Sequence, residues 1–116
     1  MRDYKNLEIW RLGMEIASII YELVDQMPSI ERYNLQSQMI RSAISVPSNI
    51  AEGAGRSSEK EFKRFLEIAL GSLYELETQL ILTKQRYTIQ NLDFDELFEL
   101  INKEQRKVSS FINRLN

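Results

Sequence analysis

The sequence lacks cysteine and histidine altogether. Without cysteine there is no disulfide framework, no thiolate metal site and no thiol nucleophile. Without histidine the commonest acid–base group and the commonest metal ligand are missing together. Two prolines and four glycines are too few for a sandwich of many tight turns. No stretch approaches the ~20 apolar residues needed to cross a bilayer, and no apolar run follows the basic start Met-Arg-Asp-Tyr-Lys as in a signal peptide. A cytoplasmic location is expected, with no membrane partner. Internal repeats and low-complexity segments are absent too.

What remains is ordinary globular material: 116 residues, 43% hydrophobic and 28% charged, enough for one domain with a real core. Fifteen Lys and Arg against seventeen Asp and Glu give a net charge of −2. Residues 32–64 hold six basic and three acidic groups, while the flanking segments are acidic, so an anionic partner is expected to meet that middle stretch.

Apolar spacing of three and four predicts four helices, at about 6–27, 34–54, 58–87 and 93–115. Short connections predict an all-α, antiparallel up-down-up-down four-helix bundle forming a single domain over 1–116. Asn34 is a candidate N-cap, and Ser58 and Asp93 each stand three residues before a glutamate in capping-box fashion. Pro47 removes a backbone donor inside the second helix, which predicts a kink near Ala43–Pro47. Gly55 suits a left-handed helix end, and Gly71 suggests close approach of another helix. The first helix has two apolar stripes. Leu7, Trp10, Met14, Ala17, Tyr21 and Val24 form one; Ile9, Leu12, Ile16, Ile19 and Leu23, continuing to Met27, form the other. The second stripe is surplus to one bundle and predicts a homo-oligomer interface at Ile9, Leu12, Ile16, Ile19 and Leu23. Trp10, Tyr21, Phe62, Phe65 and Tyr74 lie at helical spacing with aliphatics and are expected in the core.

Catalysis finds little support. A di-metal bundle needs histidine, and no serine or lysine stands in a nucleophile setting, so no enzyme, cofactor or small-molecule substrate is expected. Gly53 to Ser58 suggests a phosphate loop only weakly; a helix end followed by a helix start explains it. Arg41, Arg56, Lys60, Lys63 and Arg64 could contact the phosphates of RNA or DNA, or could be neutralised by Glu59, Glu61 and Glu67 on a solvated face. Asn49 and Glu52 form a second polar pair, read either as a site or as partners for backbone freed by Pro47 and for Arg56.

Several segments taken together resemble a known bacterial family. They are Asn6 to Trp10, Gln38 to Ala43, Val46 to Arg56, and Phe62 to Glu77; the most specific is Asn-Ile-Ala-Glu-Gly-x-Gly-Arg at 49–56. The sequence is similar to the proteins encoded in intervening sequences of 23S ribosomal RNA genes, also called the S23 ribosomal protein family. The resemblance implies a four-helix bundle without enzymatic activity that assembles as a homopentamer. It also implies kinship with the basic accessory protein of diversity-generating retroelements, which works with a reverse transcriptase and nucleic acid. Two functions follow as expectations: a nucleic-acid-associated accessory module, or a protein-binding assembly scaffold.

Overall fold

The computed structural model describes residues 2–115. It holds four long helices: α1 Glu8–Val24, α2 Leu35–Ala54, α3 Glu59–Arg86 and α4 Phe94–Arg114, with short 3-10 turns at Tyr4–Asn6 and Ser29–Glu31. No strand occurs among the described residues. Their boundaries follow local chemistry. Ser58 Oγ accepts from the Glu61 amide and Asp93 Oδ1 from the Glu96 amide, each at 3.1 Å, so both helix starts satisfy an otherwise orphaned donor. Asn34 makes no such bond with its side chain. Its backbone conformation, φ −118° and ψ −103°, lies outside the extended region that aims a capping side chain back at the first turn. Gly55 is right-handed at φ −81°, so α2 runs directly into the next corner without a left-handed stop. The helix continues through Pro47 to Ala54.

Contacts fix how the helices sit. Along the α2–α3 seam Gly53 faces Phe62 and Phe65, Ser45 faces Ser72, and Met39 faces Thr83. Between α1 and α2 Gly13 meets Val46 and Pro47, while Gln36 donates to the Val24 carbonyl. Along the α3–α4 seam Phe62 meets Phe111, Gln105 meets Glu77, and Lys84 meets Asp95. Glu8 pairs with Lys107 to join α1 to α4. In each seam one residue number falls as the other rises. The helices enclose a core that includes Ile16, Ile20, Leu23, Met39, Ile50, Phe62, Leu66, Leu73, Leu76, Leu80, Leu97 and Ile101, all under 2% or at 2% exposure.

This core reverses the expected roles of the two α1 stripes. Ile9, Leu12, Ile16 and Leu23 are buried inside the protomer, and only Ile19 of that set is partly exposed. They are therefore unavailable as an interface between subunits. The other stripe faces outward in part: Met14 is 46% and Tyr21 48% exposed, and Trp10 is half-buried. The physical reason is side-chain chemistry. Isoleucine and leucine carry no polar atom and gain most from full burial, whereas tyrosine and tryptophan have a polar edge and methionine adapts to irregular surfaces. Tyr74 is likewise 53% exposed and Phe65 half-buried, so only Phe62 of the predicted aromatic core is fully enclosed. Gly71 does not mark a helix contact either: a Cβ there would meet nothing within 4 Å. Gly53 is the close approach, since its Cβ would stand 2.7 Å from Phe65 Cβ.

Candidate nucleic-acid interface

The α2–α3 corner is built by the most specific segment of the sequence, residues 49–56. Asn49 Nδ2 donates to the Ser45 carbonyl at 2.8 Å and to Ser45 Oγ at 2.9 Å. Ser45 Oγ in turn lies 2.7 Å from Ser72 Oγ across the seam. Asn49 thus anchors a polar clamp between α2 and α3. The carbonyl it meets belongs to Ser45, whereas Pro47 deprives the Ala43 carbonyl of its amide. Glu52 accepts from Arg56 at 2.9 Å, one helical turn on. The Arg56 guanidinium stands 4.9 Å from the centroid of the Phe65 ring, a cation–π contact that holds it against the corner. Together Asn49, Glu52, Gly53 and Arg56 account for the segment as scaffold.

The five candidate phosphate-contacting residues are not brought together as one patch. Lys60 and Arg64 share the outer face of the first turns of α3, and Arg56 sits in the corner before them. Lys63 leans to the α4 side of α3 and is partly buried. Arg41 lies elsewhere: fifteen residues before Arg56, it is about 22 Å away along α2 at 1.5 Å per residue. There it lines a small groove with Gln38, Ser45, Glu75 and Gln79. Linear proximity concealed this, because Arg41 belongs to the basic middle segment while its helix carries it to the other half of the bundle.

The neutralising carboxylates do not close on the remaining cations. Glu59 is taken by Arg2 at 3.4 Å, and Lys60, Lys63 and Arg64 have no carboxylate within 4.0 Å among the described residues. Their surroundings are basic as well. A plane through Gly13, Val46, Ser72 and Glu104 divides the bundle at its middle contacts. The half holding the α2–α3 corner, residues 2–13, 47–71 and 105–115, carries ten Lys and Arg against six Asp and Glu. The other half carries five against eleven. A net charge near zero thus conceals a bundle that is basic at one end and acidic at the other.

The basic end is also tied together structurally. The Arg2 amide donates to the Ala54 carbonyl at 2.9 Å, and its guanidinium lies 4.9 Å from the Phe62 ring centroid. Arg114 at the end of α4 stands 5.2 Å from the Phe111 ring. Residues 2–5, the α2–α3 corner and the last turn of α4 therefore present cations from three parts of the chain. The sequence signal for the α4 contribution was the basic set Arg106, Lys107 and Arg114 in the second half of the helix, which no acidic residue interrupts after Glu104.

The family comparison covers the α2–α3 corner but neither Arg2 nor the last turn of α4. A family model described as 23S rRNA-intervening sequence protein matches residues 5–110. The chain belongs to that family. Comparison with curated proteins finds no match. The family match spans α1, α2 and α3 whole and α4 as far as residue 110, and so includes the corner and the basic first turns of α3.

One further ionisable group lies in the interior. Glu104 is fully buried, and among the described residues neither carboxylate oxygen has a hydrogen-bond partner. Loss of water pushes its pKa up to about 8, outweighing the opposing pull of Lys107; the Glu8 carboxylate adds to the rise. Lys107 donates to Glu8 at 2.9 Å and holds the Glu8 carboxyl below its ordinary range. The clue to Glu104 was a gap in the α4 stripe, which passes from Ile101 to Val108 with a glutamate at the intervening core position. No three acidic side chains among the described residues are grouped to hold a metal ion, and no helix is long and apolar enough to cross a membrane.

Proposed function

We propose that this chain is a non-catalytic, self-associating accessory module that meets nucleic acid through the basic end of the bundle. One observation carries the reading: among the described residues Lys60, Lys63 and Arg64 make no ion pair, at an end where basic groups outnumber acidic ones ten to six. Such unpaired cations engage phosphates and release counterions. Arg56 and Lys63 flank the outer pair, while Arg41 is better assigned to the α2–α3 groove. Self-association multiplies a modest patch by presenting it several times to one polymer.

The outward face of α1 supports self-association. Met14 and Tyr21, with Ile44 at 40% exposure on α2, line an apolar groove of about 400 Å³. A separate apolar strip on α3 includes Ile68 and Leu82, about four turns apart on one side of the helix and 44% and 45% exposed. Two distinct apolar faces on one chain suit head-to-tail contacts that close into a ring, in keeping with the pentamer implied by the family resemblance. The same groove favours a second reading, in which the assembly is a scaffold for another protein.

The test is fluorescence anisotropy of labelled RNA and DNA over a salt series. Affinity should fall linearly with salt on logarithmic axes, and Lys60→Glu with Arg64→Glu should remove most of it while the assembly mass stays the same. Unchanged binding in that variant would refute the basic-end site. An oligomer that binds no nucleic acid at low salt would instead favour the scaffold.

A further inference from the structure

The flank of α3 turned toward α4 carries a polar groove. Tyr74 forms one wall, and Gln105, Arg106, Ser110, Asn113 and Arg114 of α4 form the other, around an open volume of about 540 Å³. The chemistry of these walls is unusual for a bundle surface. Tyr74 exposes an aromatic ring, 53% accessible, where burial would ordinarily be favoured. Arg106 and Arg114 have no carboxylate within 4.0 Å among the described residues. Gln105 is oriented, because its Nε2 donates to Glu77 Oε1 at 2.9 Å, which leaves its own carbonyl oxygen as an acceptor. Asn113 and Ser110 add exposed groups that both donate and accept.

A planar ring, two guanidiniums free of carboxylates and an oriented amide form the set that recognises an unpaired nucleotide. We propose that this groove binds single-stranded nucleic acid, with a base stacked on Tyr74 and the adjoining phosphate held by Arg106 and Arg114. The inference rests on the nucleic-acid reading above and adds to it a strand preference and a base-contacting residue. The phosphate lies on the α4 side for an electrostatic reason: Glu67 and Glu77 flank Tyr74 on α3 and would repel it, whereas α4 has no acidic residue after Glu104. The groove also joins the basic end. Lys63 lies on the same flank of α3, eleven residues or about 16 Å before Tyr74, so one strand can run from Lys63 to the groove. A duplex cannot use it, because its bases are already stacked on one another.

The experiment compares a fluorescein-labelled uridine 12-mer with a duplex of equal length and with inorganic polyphosphate as competitor. The expected result is tighter binding of the 12-mer than of the duplex, and weaker competition by polyphosphate at matched charge. Tyr74→Ala should weaken 12-mer binding by at least about fivefold, with Tyr74→Phe close to wild type. Arg106→Gln and Arg114→Gln should each reduce the logarithmic salt slope by about 0.7. Circular dichroism checks that each variant keeps its helices. Equal binding by wild type and Tyr74→Ala, with loss in the Lys60→Glu, Arg64→Glu variant, would overturn the groove and leave the basic end intact. Equal losses in Tyr74→Ala and Tyr74→Phe would overturn stacking as its mode. Failure of the wild type to bind any of the nucleic acids would overturn both proposals.

Discussion

Gly13 of α1 and Glu104 of α4 face each other so closely that a Cβ on the glycine would stand 3.2 Å from Glu104 Oε2. Each residue is costly alone. A glycine inside a helix destabilises it by about 1 kcal/mol, and a buried carboxyl without a partner loses its hydration. Together they make sense, since the missing side chain leaves the volume that the carboxyl fills.

The first prediction concerns pH. Glu104 titrates near its ordinary 4.5 when unfolded and at about 8 when folded, so the folded state binds the extra proton between those values. Its contribution is fully present below 4.5 and is lost as the pH rises to about 8, on the order of a few kcal/mol. Urea unfolding of wild type and Glu104→Gln at pH 5 and pH 8.5 measures it. The variant should lose less stability than wild type across that interval; equal losses would show that Glu104 is not the responsible group.

The glycines of α2 and α3 should respond in opposite directions. Gly53→Ala places a Cβ 2.7 Å from Phe65 Cβ and 2.9 Å from Phe62 Cδ1 and should cost roughly 1–3 kcal/mol. Gly71→Ala meets nothing within 4 Å and should gain about 0.4–1 kcal/mol by favouring the helix. Thermal melts of the two variants side by side decide it, and a destabilised Gly71→Ala would reveal a contact this protomer alone does not have.

Asn49, Ser45 and Ser72 should behave as one unit. Asn49→Ala and Ser72→Ala should each cost about 1 kcal/mol, and the double variant less than their sum, because both lean on the Ser45 hydroxyl. Strict additivity in a double-mutant cycle would mean that the two bonds are independent.

The faces of α1 separate assembly from folding. Met14→Asp should lower the mass measured by light scattering at micromolar concentration while the helical signal persists, because Met14 is 46% exposed. Ile16→Asp should unfold the protomer, since Ile16 is 1% exposed in the core. A wild-type particle of 13.7 kDa would refute self-association itself.

Much of this architecture was legible in the residue order. Periodicity predicted four helices, and Ser58 and Asp93 located two of their starts to within a residue, because caps are local chemistry. The α1 stripes were not decidable in that way. Both are apolar at the right spacing, and only the positions of α2 and α4 select Ile16 and Leu23 over Met14 and Tyr21 for the interior. The basic site was half legible. Lys60 and Arg64 are one turn apart on a single helix, but the detachment of Arg41 and the arrival of Arg2 and Arg114 depend on which helix ends meet.

The sequence by itself determined what depends on near neighbours: the four helices, their caps, the Glu52–Arg56 pair, and the exclusion of thiol and imidazole chemistry. The tertiary structure decided whatever depends on residues far apart in the chain. It set Gly13 against Glu104, tied Asn49 to Ser72 through Ser45, and gathered three separated segments into one basic end. Local preferences act over a few residues, whereas burial and charge density are sums over everything that packing brings within reach.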